Sequence, residues 1–482
     1  MNETDCRLIQ VTPSPRQLAL QQMEFYAFVH FTVNTFTDKE WGDGTEDPAI
    51  FNPVKFDARQ WVEAIKDAGM RGLILTCKHH DGFCLWPSRH TRHSVASSPF
   101  KRDIVGEAAA ACREGGIRFG VYLSPWDRNH PLYGTGKPYD DYFIAQLTEL
   151  LTEYGDVCSV WFDGACGEGP NGKKQYYNWE RYYAAIRELQ PNACIHVCGP
   201  DIRWCGNEAG DTREAEWSVV PARTANTEKV QSASQQADNA EFRQRQIHAW
   251  DRDLGSRALV ANEPDLIWYP AEVNTSIRPG WFWHECENDQ VRPLETLIDI
   301  YEKSVGGNAT FLLNIPPTKE GLFHEKDVAR LHELGEYIRR SYSVNLAAAA
   351  ELTASPAAEG HSIECIREDD DHCYIPAEEK GVAEINLTWA KPVVIHRVVL
   401  KEQITLSQRV EHFVIDVLVE DQWREAARNT VIGYKRIIRL EPVETTALRI
   451  RILDARVAPT IKFVGVYPCF HAAVHEQRNH PL

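Results

Sequence analysis

Apolar residues follow two spacings from about residue 24 to residue 340. Short continuous apolar runs predict buried strands, and apolar residues three or four positions apart predict amphipathic helices. The predicted strands are Tyr26–Phe31, Gly72–Cys77, Arg118–Leu123, Val157–Phe162, Ala193–Val197 and Ala309–Ile315. The predicted helices are Asp57–Ala68, Asp103–Glu114, Asp141–Tyr154, Trp179–Leu189 and Leu294–Ser304. Strands that alternate with helices form parallel sheets, so the pattern predicts an α/β fold with a (β/α)8, TIM-like barrel. Region 200–290 predicts no definite strands.

The pattern changes after Tyr342. Ala347–Ala350 and Ser355-Pro356 are typical of a linker, and the apolar runs beyond them are short and lack helical periodicity. The predicted strands there are Val393–Leu400, His412–Leu418, Arg436–Leu440, Ala447–Ile452 and Ile461–Val466. Evenly spaced short strands predict a β-sandwich. We therefore divide the chain into a barrel at 1–342 and a β-sandwich at 343–482.

Polar clusters stand at the ends of four predicted barrel strands. They are His30, Lys78-His79-His80-Asp81, Ser124-Pro125-Trp126-Asp127 and Asp163. Because the carboxyl ends of barrel strands meet at one face, we expect these side chains to converge on one pocket. Singly, His30 fits a buried core histidine and Asp163 fits a helix cap. Four clusters together, each after a strand, favour a functional site.

Asp163 ends the apolar run Val160-Trp161-Phe162, and the glycine after it lets a ligand approach closely. We interpret it as a catalytic carboxylate of a sugar-cleaving barrel. A glycosidase needs a second carboxyl group, which protonates the leaving oxygen. Spacing alone leaves this second group open among Glu168, Asp201, Glu208, Asp211, Glu214 and Glu216.

Composition and net charge limit the classes of molecule that the protein can bind. The formal net charge of −17 argues against nucleic acid and against docking on an anionic membrane, whereas a neutral sugar is compatible with it. The 14 tryptophans fit either a large core or stacking on sugar faces. Neither a metal-ligand cluster of zinc type nor a phosphate loop occurs, so we expect no cofactor.

The 13 cysteines are scattered, which is typical of a reducing compartment. The N-terminal residues have neither a basic nor an apolar segment of signal-peptide type. We expect a cytoplasmic enzyme, with export through a signal peptide absent from this sequence as the alternative.

Several sequence blocks together resemble a known family. They are His30-Phe31, Lys78-His79-His80-Asp81-Gly82-Phe83, Ser124-Pro125-Trp126, Trp161-Phe162-Asp163-Gly164 and Gly306-Gly307-Asn308. In this order they resemble the α-L-fucosidases of glycoside hydrolase family 29, over about residues 25–317. The stretches Arg203-Trp204-Cys205-Gly206-Asn207-Glu208 and Ser276-Ile277-Arg278-Pro279-Gly280-Trp281-Phe282 further resemble the family's α-1,3/1,4-specific branch. That branch removes fucose from branched, Lewis-type oligosaccharides.

The resemblance implies a retaining exo-hydrolase that works by double displacement. Asp163 matches the nucleophile and Glu208 the general acid/base, with Glu216 as the second choice for that role. Cys205 stands where the family is expected to have an aliphatic residue, and this difference affects none of the catalytic roles. The side chains expected to contact the fucosylated substrate are His30, Glu40, Trp41, His79, His80, Trp126, Glu216 and Trp281.

Other interpretations stay open at this point. The chain could be a broad α-L-fucosidase that also cleaves α-1,2 links, a non-catalytic sugar-binding barrel, or a metal-dependent hydrolase using His79 and His80. The region from about residue 345 resembles a galactose-binding-like β-sandwich, which either only packs on the barrel or binds sugar. The acidic run 368–371 is either a solvated loop or a calcium site.

Overall fold

The computed structural model describes residues 3–234, 252–378 and 381–470. Its strands up to residue 314 are β1 (Phe25–Val29), β2 (Gly72–Lys78), β3 (Arg118–Leu123), β4 (Ser159–Phe162), β5 (Cys194–Val197), β6 (Arg203–Trp204), β7 (Val219–Pro221), β8 (Leu266–Trp268), β9 (Ala271–Ser276) and β10 (Ala309–Asn314). Eight of them form one parallel sheet in the order β5-β4-β3-β2-β1-β10-β9-β6. A parallel bridge between His196 and Ile202 brings its two ends together. The TIM-like barrel predicted from the sequence is thus confirmed.

Strand β1 shows how the barrel buries both of its faces. All five of its residues are buried. Tyr26 and Phe28 belong to the cluster inside the barrel, whereas Phe25, Ala27 and Val29 belong to the cluster beneath the surrounding helices. Successive side chains of a strand point to opposite faces, so a continuous apolar run fits a strand covered on both sides.

The described helices are α1 (Glu3–Leu8), α2 (Pro15–Gln21), α3 (Val33–Thr37), α4 (Ala58–Asp67), α5 (Ile104–Gly115), α6 (Lys137–Glu153), α7 (Trp179–Leu189), α8 (Thr227–Ser234), α9 (Arg257–Val260), α10 (Leu294–Ser304) and α11 (Glu325–Ser341). Asp57, Asp103 and Asn178 cap α4, α5 and α7 by accepting a first-turn backbone N–H. Across the described ranges, each helix lacks the length or the apolarity that crossing a membrane requires.

The region without definite predicted strands contains two strands of the barrel, β6 and β9. Strand β9 is fully buried, yet Glu272, Asn274, Thr275 and Ser276 make it polar. Glu272 accepts hydrogen bonds from Tyr26, Trp161 and His196 inside the barrel. A strand whose burial depends on hydrogen bonds carries no apolar run, so hydrophobic patterning does not reveal it.

The second part of the chain is antiparallel, with strands β11 (Glu351–Ala354), β12 (Ala383–Glu402), β13 (Val410–Val419), β14 (Gln422–Asn429), β15 (Arg436–Ala455) and β16 (Ile461–Tyr467). They pair in the order β11-β12-β15-β13-β14, and β16 pairs with β12. Bulges interrupt β12 and β15, which are longer than the predicted runs. A separate apolar core fills this part of the molecule. The arrangement is consistent with the predicted β-sandwich.

The sandwich packs on the end of the barrel where β1 and β10 begin. Lys435 pairs with Glu24 at 2.8 Å, and the backbone N–H of Asn308 donates to the carbonyl of Lys435. Arg397 pairs with Glu302, at the end of α10, at 2.6 Å. The sandwich therefore supports the barrel from the end opposite the polar strand tips. The division at residues 342 and 343 stays a prediction.

The acidic run 368–371 is in contact with lysines. Asp369 pairs with Lys401 at 2.6 Å and lies 3.6 Å from Lys462. Within the described ranges, these acidic residues do not form a group able to share one ion. This run therefore supports no calcium assignment.

Candidate active site

A pocket opens at the carboxyl ends of the barrel strands and holds about 470 Å³ not filled by protein atoms. Eight of the ten predicted site residues line it: His30, Glu40, Trp41, His79, His80, Asp163, Glu208 and Trp281. The pocket is also lined by five residues that were not predicted: Phe28, Trp161, Ala165, Ser234 and Asn274. Strand alternation could have indicated two of these, because Phe28 precedes His30 and Trp161 precedes Asp163 by two positions. Asn274 and Ser234 lie in the region where no strand was predicted.

Asp163 follows β4 and presents a fixed carboxylate to the pocket. Tyr122 donates to its Oδ2 at 2.9 Å, and the backbone N–H of Ala165 donates to its Oδ1 at 2.8 Å. Burial raises the pKa of Asp163, and these hydrogen bonds oppose the rise because they stabilise the ionised form. The side chain is 22% exposed, so a ligand can reach it.

Glu208 reaches the same pocket from the segment after β6. Trp281 donates from its indole nitrogen to Oε2 at 3.1 Å, and Thr275 holds the Glu208 carbonyl at 2.8 Å. Burial raises the pKa of Glu208 to about 8, and the negative charges of Asp163 and Glu40 add to the rise. At neutral pH Glu208 therefore carries a proton that it can give to a leaving group.

Hydrogen bonds assign the tautomers of His30 and His80. Asn314 donates its amide to the Trp281 carbonyl, so its Oδ1 accepts from Nδ1–H of His30 at 2.9 Å. Ser124 donates to the Trp126 carbonyl and in turn accepts from Nδ1–H of His80 at 2.7 Å. In a neutral imidazole the other nitrogen then has a free lone pair. Both rings therefore keep Nε2 as a hydrogen-bond acceptor.

His79 has the opposite arrangement. The Asn34 amide nitrogen, which donates to the Glu40 carbonyl, lies 3.5 Å from Nδ1 of His79. This neighbour favours a lone pair on Nδ1 and a proton on Nε2. Burial lowers the pKa of His30 to about 4, of His80 to about 3, and of His79 well below its ordinary value. The pocket thus offers neutral donors and acceptors, as adjacent sugar hydroxyls require.

Trp126 was predicted to contact substrate, but its ring lies behind the lining. Its centroid is 5.5 Å from that of Trp41 and 4.9 Å from that of His80, both of which do line the pocket. Its indole nitrogen donates to the Glu168 carbonyl. Trp126 therefore supports the wall and is not among the residues that line it.

Glu216 was predicted as a substrate contact and as the second choice for the acid/base, but it lies outside the pocket. It is fully buried and pairs with Arg203 at 2.5 Å and Arg213 at 3.2 Å. Burial alone would raise the pKa of Glu216, but the two arginines lower it below its ordinary value. A carboxylate held in this way is not a proton donor, so the geometry favours Glu208.

We expect Glu216→Gln to affect stability more than chemistry. The change leaves two buried arginines without their carboxylate, so the free energy of unfolding should fall by about 3–5 kcal/mol. Urea unfolding measures this fall. Glu214→Gln is the control, because Glu214 is exposed and should change the free energy by no more than about 0.5 kcal/mol. An unchanged unfolding free energy together with lost turnover would return the acid/base role to Glu216.

His79, His80 and Asp163 could share a metal ion, since one ligand atom from each lies within 4.8 Å of the others. Among the described residues this is the only such group. The same three side chains also suit sugar hydroxyls, because neutral imidazoles donate and accept hydrogen bonds. Turnover in excess chelator separates the two uses.

Comparisons with known proteins agree with the site. The family model described as Alpha-L-fucosidase matches residues 16–342. The chain is 38% identical over 470 residues to alpha-L-fucosidase 1 of Arabidopsis thaliana, covering 94% of this chain and 87% of that protein. A Ruminococcus gnavus GH29 fucosidase solved in complex with fucose superposes with a TM-score of 0.81 at 29% identity, covering 96% of this chain and 95% of that one. The structure of SpGH29 gives a TM-score of 0.83 at 33% identity, covering 96% and 99%. The chain therefore belongs to the α-L-fucosidase family and is a glycoside hydrolase.

Proposed function

We propose that this α-L-fucosidase is a retaining exo-enzyme that removes α-1,3/1,4-linked fucose from branched, Lewis-type oligosaccharides. The observation that carries the proposal is the pair Asp163 and Glu208. They reach one pocket from separate segments, and their surroundings differ. Two donors stabilise Asp163 as a carboxylate, whereas Glu208 has one donor and a pKa of about 8. One group is suited to attack and the other to protonation.

In the first step Asp163 is the nucleophile. An oxygen of its carboxylate forms a bond to the anomeric carbon of fucose while the bond from that carbon to the aglycone oxygen breaks. Glu208 gives its proton to the departing oxygen. The products are a covalent fucosyl–Asp163 ester, a free aglycone and an ionised Glu208.

In the second step Glu208 is the base. A water molecule attacks the anomeric carbon and gives a proton to the Glu208 carboxylate, and the ester bond to Asp163 breaks. Fucose leaves with the anomeric configuration that it had in the substrate. Both side chains return to their starting protonation states.

The remaining lining residues fit the sugar. His30 and His80 can accept from hydroxyl groups and His79 can donate to one. Phe28, Trp161 and Trp281 give the pocket an apolar side, which suits the C6 methyl group of fucose. These are the roles we assign to them.

The linkage preference is supported by the stretches 203–208 and 276–282, which resemble the α-1,3/1,4-specific branch. They carry Glu208 and Trp281, which contact each other in the pocket. Each stretch thus supplies one residue to the place where we expect the aglycone to leave. A broad hydrolase that also cleaves α-1,2 links is the alternative.

One experiment tests both linkage and stereochemistry. The enzyme is given 3-fucosyllactose or 2′-fucosyllactose, and early proton NMR spectra identify the fucose anomer released first. We expect α-fucose first and a kcat/KM for 3-fucosyllactose roughly 10-fold or more above that for 2′-fucosyllactose. Release of β-fucose first would contradict the retaining mechanism, and equal kcat/KM values would favour the broad enzyme.

The cytoplasmic location stays a proposal. It is supported by the thirteen cysteines, which are scattered along the chain as is typical of a reducing compartment.

A further inference from the structure

The loop after β9 holds the partner of Glu208. Trp281, whose indole donates to Glu208, lies in this loop between Ser276 and His284. Ser276 donates from its hydroxyl to the carbonyl of Gly280 at 2.7 Å, closing a tight turn just before Trp281. The position of this turn therefore sets the position of the indole that bonds the Glu208 carboxyl group.

Glu40, from the segment after α3, binds the backbone of the same turn from the other side. Its Oε2 accepts from the backbone N–H of Trp281 at 2.8 Å, and its Oε1 accepts from that of Phe282 at 3.2 Å. Gly280 makes the close approach possible, because a Cβ there would lie 2.6 Å from Oε1 of Glu40 and 2.9 Å from the ring of His284. The carboxylate of Glu40 thus acts as a clamp on the backbone that presents Trp281.

His284 holds the clamp in place. Its Nε2 lies 2.7 Å from Oε1 of Glu40, and its Nδ1 lies 2.6 Å from Oδ1 of Asp38. The His284 side chain is 2% exposed. Ionised carboxylates only accept hydrogen bonds, so both contacts are satisfied when both ring nitrogens carry protons. The geometry is that of an imidazolium between two carboxylates.

The charges around His284 agree with this geometry. Burial alone would lower the pKa of His284, but hydrogen bonds to Glu40 and Asp38 and the negative charge of Glu287 raise it above its ordinary value. Glu287 also accepts the backbone N–H of Gly280 at 3.0 Å. Three carboxylates therefore surround one cation beside the turn.

We propose that His284 is a positioning residue for the acid/base: as a cation between Asp38 and Glu40, it fixes the turn from which Trp281 bonds Glu208. The inference rests on the proposed function, since it takes Glu208 as the acid/base. His284 itself contacts neither Asp163 nor Glu208 in the described hydrogen bonds.

This role predicts an effect that depends on the leaving group. If the turn loosens, the Glu208 carboxyl group loses its fixed orientation, and a misplacement of about 1 Å can cost on the order of 10²-fold in rate. A leaving group that needs a proton suffers this loss, whereas fluoride leaves without one. The Trp281 bond also lowers the pKa of Glu208, so its loss moves the alkaline fall in activity to higher pH.

The test compares His284→Gln with wild type on 3-fucosyllactose and on α-L-fucosyl fluoride across pH. We expect kcat/KM for 3-fucosyllactose to fall by about 10²-fold, kcat/KM for the fluoride to change little, and the alkaline limb to move upward. Asp38→Asn is a second variant in case the first folds poorly. Asp38 is exposed and has φ 60°, a conformation that asparagine adopts readily, so the variant should fold and change in the same direction by less. His332→Gln is the matched control, because His332 pairs with Asp67 at 2.6 Å on an exposed surface.

Equal losses on both substrates, or an unmoved alkaline limb, would overturn the positioning role. Glu208→Gln, assayed on the same two substrates, separates the acid/base role of Glu208 from the positioning role of His284. If it spares the fluoride and lowers 3-fucosyllactose turnover, the acid/base assignment stands and the His284 result decides the proposal. If it lowers both alike, the acid/base assignment fails and the proposal for His284 fails with it.

Discussion

Asp163→Gly is expected to lower kcat for 3-fucosyllactose by roughly 10⁴-fold or more, as removal of a catalytic nucleophile does. The change removes the oxygen that would bond to the anomeric carbon and leaves the space of a carboxylate beside Tyr122. With α-L-fucosyl fluoride as substrate, added azide should enter that space and restore turnover. Azide then forms a bond to the anomeric carbon as fluoride leaves, and the product is the β-fucosyl azide.

Asp163→Asn is the matched control for this experiment. It also lacks a nucleophilic carboxylate, but its amide fills the space, so azide should not restore turnover. Fucose release by Asp163→Gly at the wild-type rate would remove Asp163 from the mechanism. An α-configured azide as product would contradict direct attack from the face that Asp163 occupies.

Glu208→Gln is expected to lower kcat/KM for 3-fucosyllactose by about 10²–10⁴-fold, the usual contribution of general acid catalysis. The fluoride should be affected far less. In the wild-type enzyme the protonated form of Glu208 is active, so kcat/KM should fall as pH rises through about 8. The variant has no proton to lose at that position, so this alkaline limb should disappear.

Glu216→Gln provides the comparison, because it also changes a buried glutamate to its amide. It should unfold more easily yet keep the alkaline limb. A limb that persists in Glu208→Gln and vanishes in Glu216→Gln would exchange the two assignments. The pocket that Glu208 shares with Asp163 and the ion pairs of Glu216 with Arg203 and Arg213 are the structural reason to expect otherwise.

Strand tips explain why most of the site could be predicted. His30, His79, His80 and Asp163 each follow an apolar run, and barrel geometry brings the carboxyl ends of such runs to one face. Phe28 and Trp161 were missed although strand alternation contained the signal. Ser234 and Asn274 were missed because their segment has no apolar run to mark it.

The segment after β6 shows where sequence reasoning stops. Glu208 and Glu216 are eight positions apart in one irregular segment, and the residues between them do not show which glutamate pairs with arginine. Burial and the charge of Asp163, which is distant in sequence, raise the pKa of Glu208. The charges of Arg203 and Arg213 lower the pKa of Glu216, although burial alone would raise it. Likewise, the partners of His284 are Asp38 and Glu40, more than 240 positions away.

The sequence by itself determined the barrel, the antiparallel second part, and the strand-end positions of Asp163 and the three histidines. These follow from hydrophobic spacing, which is a local property of the chain. Only the tertiary structure decided which glutamate shares the pocket with Asp163, which ring nitrogens accept hydrogen bonds, and which side chains hold Trp281. Those outcomes depend on burial and on charges brought together by folding, because the pKa and the hydrogen bonds of a side chain are set by its neighbours in space.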